Sequence, residues 1–335
     1  MIEPWTYRLS GAEVDAVERV IEPCLASGAA DDPESLRRFA IAAQELPRGL
    51  RRVLYEFRVS EPQCGMCLLS GFPIHDDRLG PTPPHWVELG SSVSREQCYL
   101  FLVSSLVGDP MGWATQQDGH LVHHVFPIRA HEDEQLGTGS RELLSWHNED
   151  AFHPLRPDYV GLMCLRNREG VPTMLASLEG LDLPGTYIDR LFEPHFRIRP
   201  DNSHQPKHQG AHRTDVSYDQ IETMSERPEK IPVLSGDRSS PYLRLDPYFM
   251  DPVESSVEAQ QALDALIRFI DAHIRDVVLQ PGDICLLDNY KAVHGRRAFD
   301  ARYDGTDRWL LRVNATRDLR KSRHCRRSSQ SRILC

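Results

Sequence analysis

From about residue 116 onward the chain is a succession of short apolar segments separated by turn residues, and this pattern constrains the fold more than any other feature. Short strands with glycine, proline, asparagine and aspartate between them are typical of a barrel or jelly roll. The predicted strands are HLVHHVFPIR, ELLSWHNE, DYVGLMCLRN, PTMLASL, PYLRLD, VVLQPGDICLLDN, AVHGRRAF and DRWLLRVNATRD. The second half of the chain is therefore predicted to be mainly β.

The part of the chain before these strands is predicted to be largely helical. Apolar residues at helical spacing indicate a helix in SGAEVDAVERVIEPCLAS, capped by Ser10 or Gly11, and two more helices that are separated near Pro47. Another helix is predicted to end near Gly108. One amphipathic helix is embedded among the strands at 255–276, and its apolar side is predicted to consist of Val257, Leu263, Leu266, Ile267 and Ile270.

Length and composition favour one large domain. The chain has 335 residues, of which 40% are hydrophobic, enough for a substantial core. We predict a single domain over 1–323, with a largely helical part at 1–110 and the strand-rich core at 111–323. The polar stretch 201–228 is expected to form a lid, because a connection of that length is usually functional or disordered. The basic, serine-rich residues 324–335 are predicted to be a disordered tail.

Charge and cysteine usage exclude several classes of protein. The net charge of −10 argues against a nucleic-acid partner. No run of roughly 18 apolar residues predicts a membrane span, and the first residues do not resemble a secretory signal. A cytoplasmic location is therefore expected, whereas the oligomeric state is not indicated. The eight cysteines are scattered and are predicted to be reduced. Of the Cys64/Cys67 pair, Cys67 is expected in the core, whereas Cys325 and Cys335 in the tail are expected to be exposed.

Two histidines and one glutamate are candidates for a metal site. His147 and Glu149 stand two residues apart, so they share a face of a strand or its end, and His294 follows a later strand. Two histidines and one carboxylate form the facial triad of non-haem Fe(II) oxygenases. Such pairs also arise by chance in a chain with 15 histidines, but the flanking strands and aromatic residues favour the metal site.

An arginine follows the third candidate ligand at a spacing suited to pairing with an acidic cosubstrate. Arg308 precedes the apolar run WLLRV, and its guanidinium offers a planar fork that matches a carboxylate. The alternative is an ordinary surface arginine. The histidines of GHLVHH have no carboxylate at ligand spacing, and those of the predicted lid are expected to bind metal only adventitiously. No function is predicted for either group: His120, His123, His124, His204, His208 and His212.

The segments WHNEDAFHP and LLDNYKAVHGRRAFDARYDGTDRWLLRVNATRDLR resemble the clavaminate synthase-like family of Fe(II)/2-oxoglutarate-dependent oxygenases. Within that family the chain is most similar to the β-hydroxylases of free arginine or asparagine. The resemblance extends from about residue 40 to Arg323. It implies a distorted double-stranded β-helix (jelly roll) core flanked by helices.

The resemblance also implies the cofactors and the residues that bind them. His147, Glu149 and His294 match the ligands of Fe(II), and Arg308 matches the arginine that pairs with the distal carboxylate of 2-oxoglutarate. Thr173 matches the hydroxyl that contacts the same carboxylate. Fe(II), 2-oxoglutarate and O2 are therefore the expected cofactors and cosubstrates.

Four residues are implied to bind the substrate. Arg312 matches an arginine that contacts the carboxylate of an amino acid, and Glu149 is expected to accept a hydrogen bond from its α-amino group. Gln116 matches a substrate-contacting glutamine, with the adjacent Gln117 as the alternative. Asp246 stands where arginine hydroxylases place an acid against the guanidinium.

The second acid of arginine hydroxylases is missing near Asp246. Position 248 is Tyr248, and the next acid is Asp251. Asp246 precedes a proline, so a turn residue is the alternative interpretation.

The resemblance predicts hydroxylation of an unactivated carbon, Cβ first, of a free cationic amino acid in specialised metabolism such as antibiotic biosynthesis. L-Arginine is the leading substrate, and lysine, enduracididine and capreomycidine stay open. The alternatives are an asparagine hydroxylase of the same family and a non-enzymatic, cupin-like metal-binding protein. A zinc hydrolase is disfavoured because no general base is evident, and a halogenase because Glu149 fills the position where halide would bind.

Overall fold

The protein is described from a computed structural model that covers residues 4–26, 33–89, 94–210, 218–251, 253 and 256–335. The helices are α1 (Gly11–Ala26), α2 (Pro33–Ala42), α3 (Arg48–Ser60), α4 (Asp76–Leu79), α5 (Ser94–Ser104), α6 (Gly185–Leu191), α7 (Asp219–Glu226) and α8 (Val257–His273). The strands are β1 (Trp5–Arg8), β2 (Met66–Ser70), β3 (Asp109–Trp113), β4 (Val122–Val125), β5 (Leu144–His147), β6 (Tyr159–Arg166), β7 (Thr173–Ser177), β8 (Leu234–Ser235), β9 (Tyr242–Leu243), β10 (Arg275–Val277), β11 (Ile284–Asp288), β12 (Ala292–Arg296), β13 (Trp309–Thr316) and β14 (Ile333–Leu334).

The N-terminal part is helical, as predicted. At the start of α1, the Ser10 amide donates to Glu13 Oε2 at 2.9 Å and the Glu13 amide donates to Ser10 Oγ at 3.4 Å, a reciprocal capping box. Pro47 precedes α3, so the predicted break is confirmed. Strand β1 was not predicted. It pairs in parallel with β2, and the sequence of a four-residue segment does not predict pairing with a strand so far along the chain.

Two sheets form the centre of the molecule. The larger has the order β1-β2-β11-β6-β13-β3-β14, with β4 also paired to β13, and the smaller has the order β10-β7-β12-β5. Side chains of both sheets meet in one buried cluster, to which β6 and β13 contribute Leu162 and Leu310, and β7 and β12 contribute Leu175 and Ala292. The two sheets therefore share a core.

Helices cover the outer faces of both sheets. Leu100 and Leu102 of α5 lie in the cluster that includes Met163 and Leu311 of the larger sheet. Helix α8 packs Leu263, Leu266 and Ile270 in the cluster that includes Val293 of β12. The fold is a mixture of helices and sheets in which the strands near the predicted ligands are held from both sides.

Two local predictions were wrong. Val257 is 75% exposed instead of belonging to the apolar side of α8. At 100° per residue it lies roughly 180–240° around the helix from the buried stripe of Leu263, Leu266 and Ile270, hence on the opposite face. The segment PYLRLD forms only the two-residue strand β9, since the chain then turns at Pro247.

The C-terminal tail is ordered, contrary to the prediction of disorder. Strand β14 pairs in parallel with β3, and its Leu334 is buried. The Arg326 guanidinium donates to the carbonyls of Ser329, Ser331 and Leu319 at 2.7–3.0 Å. A basic side chain that satisfies the carbonyls of its own loop gives a polar segment a fixed shape that composition alone does not reveal.

The stretch predicted as a lid contains short 3₁₀ helices at Asn202–His204 and Pro206–His208, followed by α7. Residues 211–217 of that stretch, including His212, lie outside the described residues. All eight cysteines are free thiols, as predicted, and Cys67, Cys164 and Cys285 are buried. Cys325, predicted to be exposed, is only partly exposed. No helix in the described ranges is long and apolar enough to cross a membrane.

Candidate active site

The structure brings His147, Glu149 and His294 together. One ligand atom from each lies within 4.8 Å of the others. His147 ends β5, Glu149 follows two residues beyond it, and His294 is in the middle of β12, where its Cα pairs with that of His147. Antiparallel pairing of two neighbouring strands therefore brings together residues that are far apart in the sequence.

Two asparagines fix the loop that carries Glu149. The Asn148 side chain donates to the carbonyls of Asn289 and Ala292 at 3.0 and 2.9 Å and accepts from the Leu245 amide at 2.8 Å. Asn289 Oδ1 in turn accepts from the Glu149 amide at 2.8 Å. The motifs HNED and LLDNY thus hold each other in place, which explains why both flank the ligands.

The donor set fits a divalent transition metal. His147 Nδ1 donates to the Ser145 carbonyl at 2.8 Å, which leaves its Nε2 lone pair for a metal. Glu149 Oε2 is buried with no hydrogen-bond donor among the described residues, and His294 Nε2 lies 3.4 Å from it. Although burial acts to raise the pKa of Glu149, the Arg312 guanidinium and the two histidines hold that pKa below its usual range. A cation between the three side chains would satisfy the orphaned oxygen.

Arg308 and Thr173 adjoin this triad. Arg308 lies just before β13 and is buried, and its Nη2 donates to Thr173 Oγ1 at 3.2 Å. Burial lowers the pKa of Arg308 to about 10, and no carboxylate among the described residues pairs with it. Its Nε is buried without a partner. A buried guanidinium without an acid is costly, so the geometry suits an anionic ligand.

Sequence reasoning missed a second arginine beside Arg308. Arg296, in β12, is buried and donates to the carbonyls of Ser140 and Glu142 at 2.9 and 3.2 Å. Burial, and then the charge of Arg308, lower its pKa to about 9. The two charges reinforce a positive potential on this side of the site. The signal was available, because Arg296 stands two residues from His294 on one strand.

Arg312 joins the triad to the predicted glutamine. It forms an ion pair with Glu149 Oε1, and its Nη2 lies 3.4 Å from Gln116 Oε1. The Gln117 side chain instead donates to the His124 carbonyl at 2.9 Å and accepts from the His124 backbone amide at 3.0 Å. Of the two glutamines left open by the sequence, Gln116 is therefore the one that contacts Arg312.

His123, for which no role was predicted, orients Arg312. Its Nδ1 accepts from Arg312 Nη2 at 2.7 Å, and the two residues are Cα partners of β4 and β13. Burial, and then the adjacent Arg312 charge, lower the pKa of His123 well below its usual value, so the ring is neutral and able to accept. The contact depends on the register of two distant strands, for which the sequence carries no local signal.

Acidic side chains face the triad from the loops. Asp246 is buried, and burial raises its pKa to about 7, partly opposed by His147. Asp201 lines the same cavity, although the sequence did not single it out. Asp251 does not line this cavity. Its two carboxylate oxygens accept hydrogen bonds from Arg199 at 2.6 and 2.9 Å. Among the described residues, no arginine or lysine pairs with Asp246, and the charge that opposes its raised pKa is that of His147.

Asp150 connects the ligand loop to the 201–210 segment. Its carboxylate accepts from Trp113 Nε1 at 2.6 Å and lies 3.1 Å from His204 Nε2. Thr115 Oγ1 bonds the other nitrogen of that ring at 2.7 Å. Asp150, Asp201 and His204 also lie close enough together to form a ligand cluster, but these hydrogen bonds already occupy Asp150 and His204.

Most of these groups line one cavity that opens to solvent. Its lining includes Gln135, His147, Glu149, Thr173, Asp201, Ser203, Asp246, Tyr248, His294, Arg296, Arg308 and Arg312. Gln116 lies in an adjoining cavity that also contains Arg312. As far as the described residues show, the cavity therefore combines a candidate metal site, two buried arginines without an acidic partner (Arg296 and Arg308) and a buried acid without an arginine or lysine partner (Asp246).

The fold and this site define a non-haem iron oxygenase. Residues 63–314 match the taurine catabolism dioxygenase TauD, TfdA family, and the chain belongs to that family. The resemblance predicted from the motifs is thereby confirmed.

Among its relatives, an L-ornithine/L-arginine 3-hydroxylase of Catenulispora acidiphila is 45% identical over 91% of this chain and 92% of that protein. The enduracididine beta-hydroxylase of Streptomyces hygroscopicus is 42% identical over 98% of this chain and 99% of its own length. The crystal structure of the non-heme iron oxygenase OrfP with Fe, succinate and (3S)-hydroxy-L-Arg superposes with a TM-score of 0.93 at 46% identity, covering 98% and 99% of the two chains.

Proposed function

We propose that the protein hydroxylates Cβ of a free cationic amino acid, with L-arginine as the leading substrate, and that it requires Fe(II), 2-oxoglutarate and O2. One observation carries the proposal: among the described residues, the triad lies in one cavity with a buried arginine that has no acidic partner and a buried acid that has no arginine or lysine partner. The named activities of the relatives support the same assignment.

His147, Glu149 and His294 would hold the iron. When bound with 2-oxoglutarate and O2, this metal supplies the oxidising power needed to hydroxylate an unactivated carbon. Arg308 and Thr173 would anchor the distal carboxylate of 2-oxoglutarate through a charge-assisted pair and a hydroxyl. The burial of Arg308 excludes water from that pair and strengthens it.

The substrate would be held at both ends. Arg312, oriented by His123, would pair with the α-carboxylate, while Glu149 and Gln116 would contact the amino-acid backbone. Asp246 would face the side-chain cation, which favours arginine over the neutral asparagine. Fixing both ends places one carbon of the substrate beside the metal site.

A cupin-like metal-binding protein is less consistent with these contacts. A structural metal site needs no anchor for a second anion, whereas Arg308 is buried at an energetic cost without an acid. We therefore favour an enzyme.

We further propose that the two sheets form the distorted double-stranded β-helix of a single domain, with 201–228 acting as its lid. The domain predicted over 1–323 extends through the tail, because β14 pairs with β3. We also propose a cytoplasmic enzyme of specialised metabolism. The position of Asp201 and Ser203 in the cavity lining supports the lid.

The test is succinate release with Fe(II), 2-oxoglutarate and each of the twenty amino acids, together with ornithine and enduracididine. We expect strong stimulation by L-arginine or a close cationic relative and weak stimulation by asparagine. A preference for asparagine would overturn the substrate, and Fe(II)-independent turnover would overturn the enzyme class.

A further inference from the structure

An aromatic side chain stands at the substrate end of the cavity. Tyr248 lines the cavity together with Asp246 and is 57% exposed. Single exposed aromatics are common on proteins and have no meaning by themselves. Tyr55 on α3, for example, is also 57% exposed, but it does not line the cavity.

The turn that carries Tyr248 also carries a second aromatic residue, Phe249, and the two rings face different surroundings. Phe249 packs against the buried cluster of Phe152, Ile198 and Ile231, which anchors the 3₁₀ turn Pro247–Phe249. The Tyr248 ring lies nearly at right angles to that of Phe249, with centroids 4.9 Å apart and an interplanar angle of 69°. One short turn thus offers a buried carboxylate at Asp246 and an exposed aromatic ring at Tyr248.

A carboxylate next to an aromatic face distinguishes between two kinds of cation. Guanidinium is planar, delocalised and weakly hydrated, so it stacks on rings, whereas ammonium is compact and strongly hydrated. The protein makes such pairs itself: Arg156 lies 3.9 Å above the Tyr290 ring and Arg129 lies 4.2 Å above that of Tyr303.

We infer that Tyr248 determines specificity, and that its ring covers the guanidinium of a substrate whose charge pairs with Asp246. It selects planar guanidino side chains, open or cyclic, over the ammonium groups of ornithine and lysine. The inference rests on the proposed function and adds the residue that separates these two substrate classes. It also explains how the pocket recognises guanidinium although the expected second acid is a tyrosine.

The test is equilibrium binding by calorimetry without oxygen, with Fe(II) and 2-oxoglutarate present. L-Arginine and L-ornithine are titrated into wild type, Tyr248→Ala, Tyr248→Phe and the equally exposed control Tyr55→Ala. We expect Tyr248→Ala to weaken arginine binding about 2- to 30-fold and to change ornithine binding less than about 2-fold. Tyr248→Phe and Tyr55→Ala should bind both ligands as wild type does.

Three results would overturn the inference. One is unchanged arginine affinity in Tyr248→Ala, and another is an equal loss for both ligands. The third is a loss in Tyr248→Phe as large as in Tyr248→Ala, since the hydroxyl and not the ring would then be responsible. Wild type that binds no cationic amino acid would defeat the proposed function as well. Unchanged 2-oxoglutarate affinity in every variant checks that the fold is intact.

Discussion

The cavity has two halves that are built differently. Its metal and cosubstrate half lies on or beside strands: His147, His294 and Thr173 belong to β5, β12 and β7, and Arg308 immediately precedes β13. Its substrate half lies on connections, where Asp246 and Asp201 stand outside the strands. Strand ladders fix the first half, while loops can change without disturbing the core. The chemistry is thus placed on the rigid part and the choice of substrate on the adaptable part.

The halves also differ in charge. Within the part of the chain that the structure describes, Arg308 and Arg296 give the strand half buried positive charge without an acidic partner, and Asp246 gives the loop half a buried carboxylate without an arginine or lysine partner. An anionic cosubstrate would pair with the arginines of the strand half, and a cationic substrate would pair with Asp246 of the loop half. The comparison therefore predicts that substitutions in each half affect different ligands.

The largest effect is expected at the metal ligands. His294→Ala removes one of three donors and should abolish Fe(II)-dependent turnover and weaken metal binding. The loss of activity or metal affinity should exceed the roughly 10–100-fold loss seen when a residue that hydrogen-bonds a metal ligand is removed. His273→Ala, on the exposed end of α8, is the matched control. Full activity in His294→Ala would remove the metal assignment.

The next effect concerns the cosubstrate. Loss of a buried charge pair costs about 2–5 kcal/mol, so Arg308→Ala should raise the half-saturating 2-oxoglutarate concentration by about 30- to 5,000-fold. Arg308→Lys should recover only part of this, because it keeps the charge and loses the fork. Succinate formation is the measurement, and Arg320→Ala on the surface is the control. An unchanged half-saturation value would mean that another residue, with Arg296 first, is the anchor.

The sequence predicted the strand half better than the loop half. The alternation of strand residues was enough to predict that His147 and Glu149 share a face, and the motif resemblance was enough to predict Arg308 and Arg312 as ligand-binding residues. All four line one cavity. Contacts set by register were not predictable: His123 meets Arg312 because β4 pairs with β13, and β14 fixes the tail because it finds β3. Local patterns encode which face a side chain takes, but not which distant strand it meets.

A smaller effect is expected for the substrate acid. Asp246→Asn keeps the shape and removes the charge, so it should weaken binding of a cationic amino acid by about 1.5–3 kcal/mol, or about 10- to 150-fold. Binding of 2-oxoglutarate should not change. Asp251→Asn is the control, because Arg199 already engages Asp251. Titrations of arginine, lysine and asparagine with saturating 2-oxoglutarate measure the effect, and unaltered arginine binding in Asp246→Asn would contradict the cationic substrate.

The smallest effect is expected at His123. His123→Leu removes the acceptor that orients Arg312 and should weaken amino-acid binding by about 0.5–1.5 kcal/mol, or about 2- to 12-fold. His123→Asn offers an oxygen acceptor near Nδ1 and should restore most of the loss. Both variants should bind 2-oxoglutarate normally. Equal behaviour of the Leu and Asn variants would show that the ring acts by packing and not as an acceptor.

Product analysis with L-arginine tests the central claim most directly. Wild-type protein is incubated with Fe(II), 2-oxoglutarate and O2, and the amino acid and succinate are quantified by mass spectrometry. The two-ended pocket predicts arginine heavier by one oxygen atom, modified at Cβ, with one succinate formed for each hydroxylation. Succinate formed without oxidised arginine, or oxidised arginine formed without 2-oxoglutarate, would contradict it.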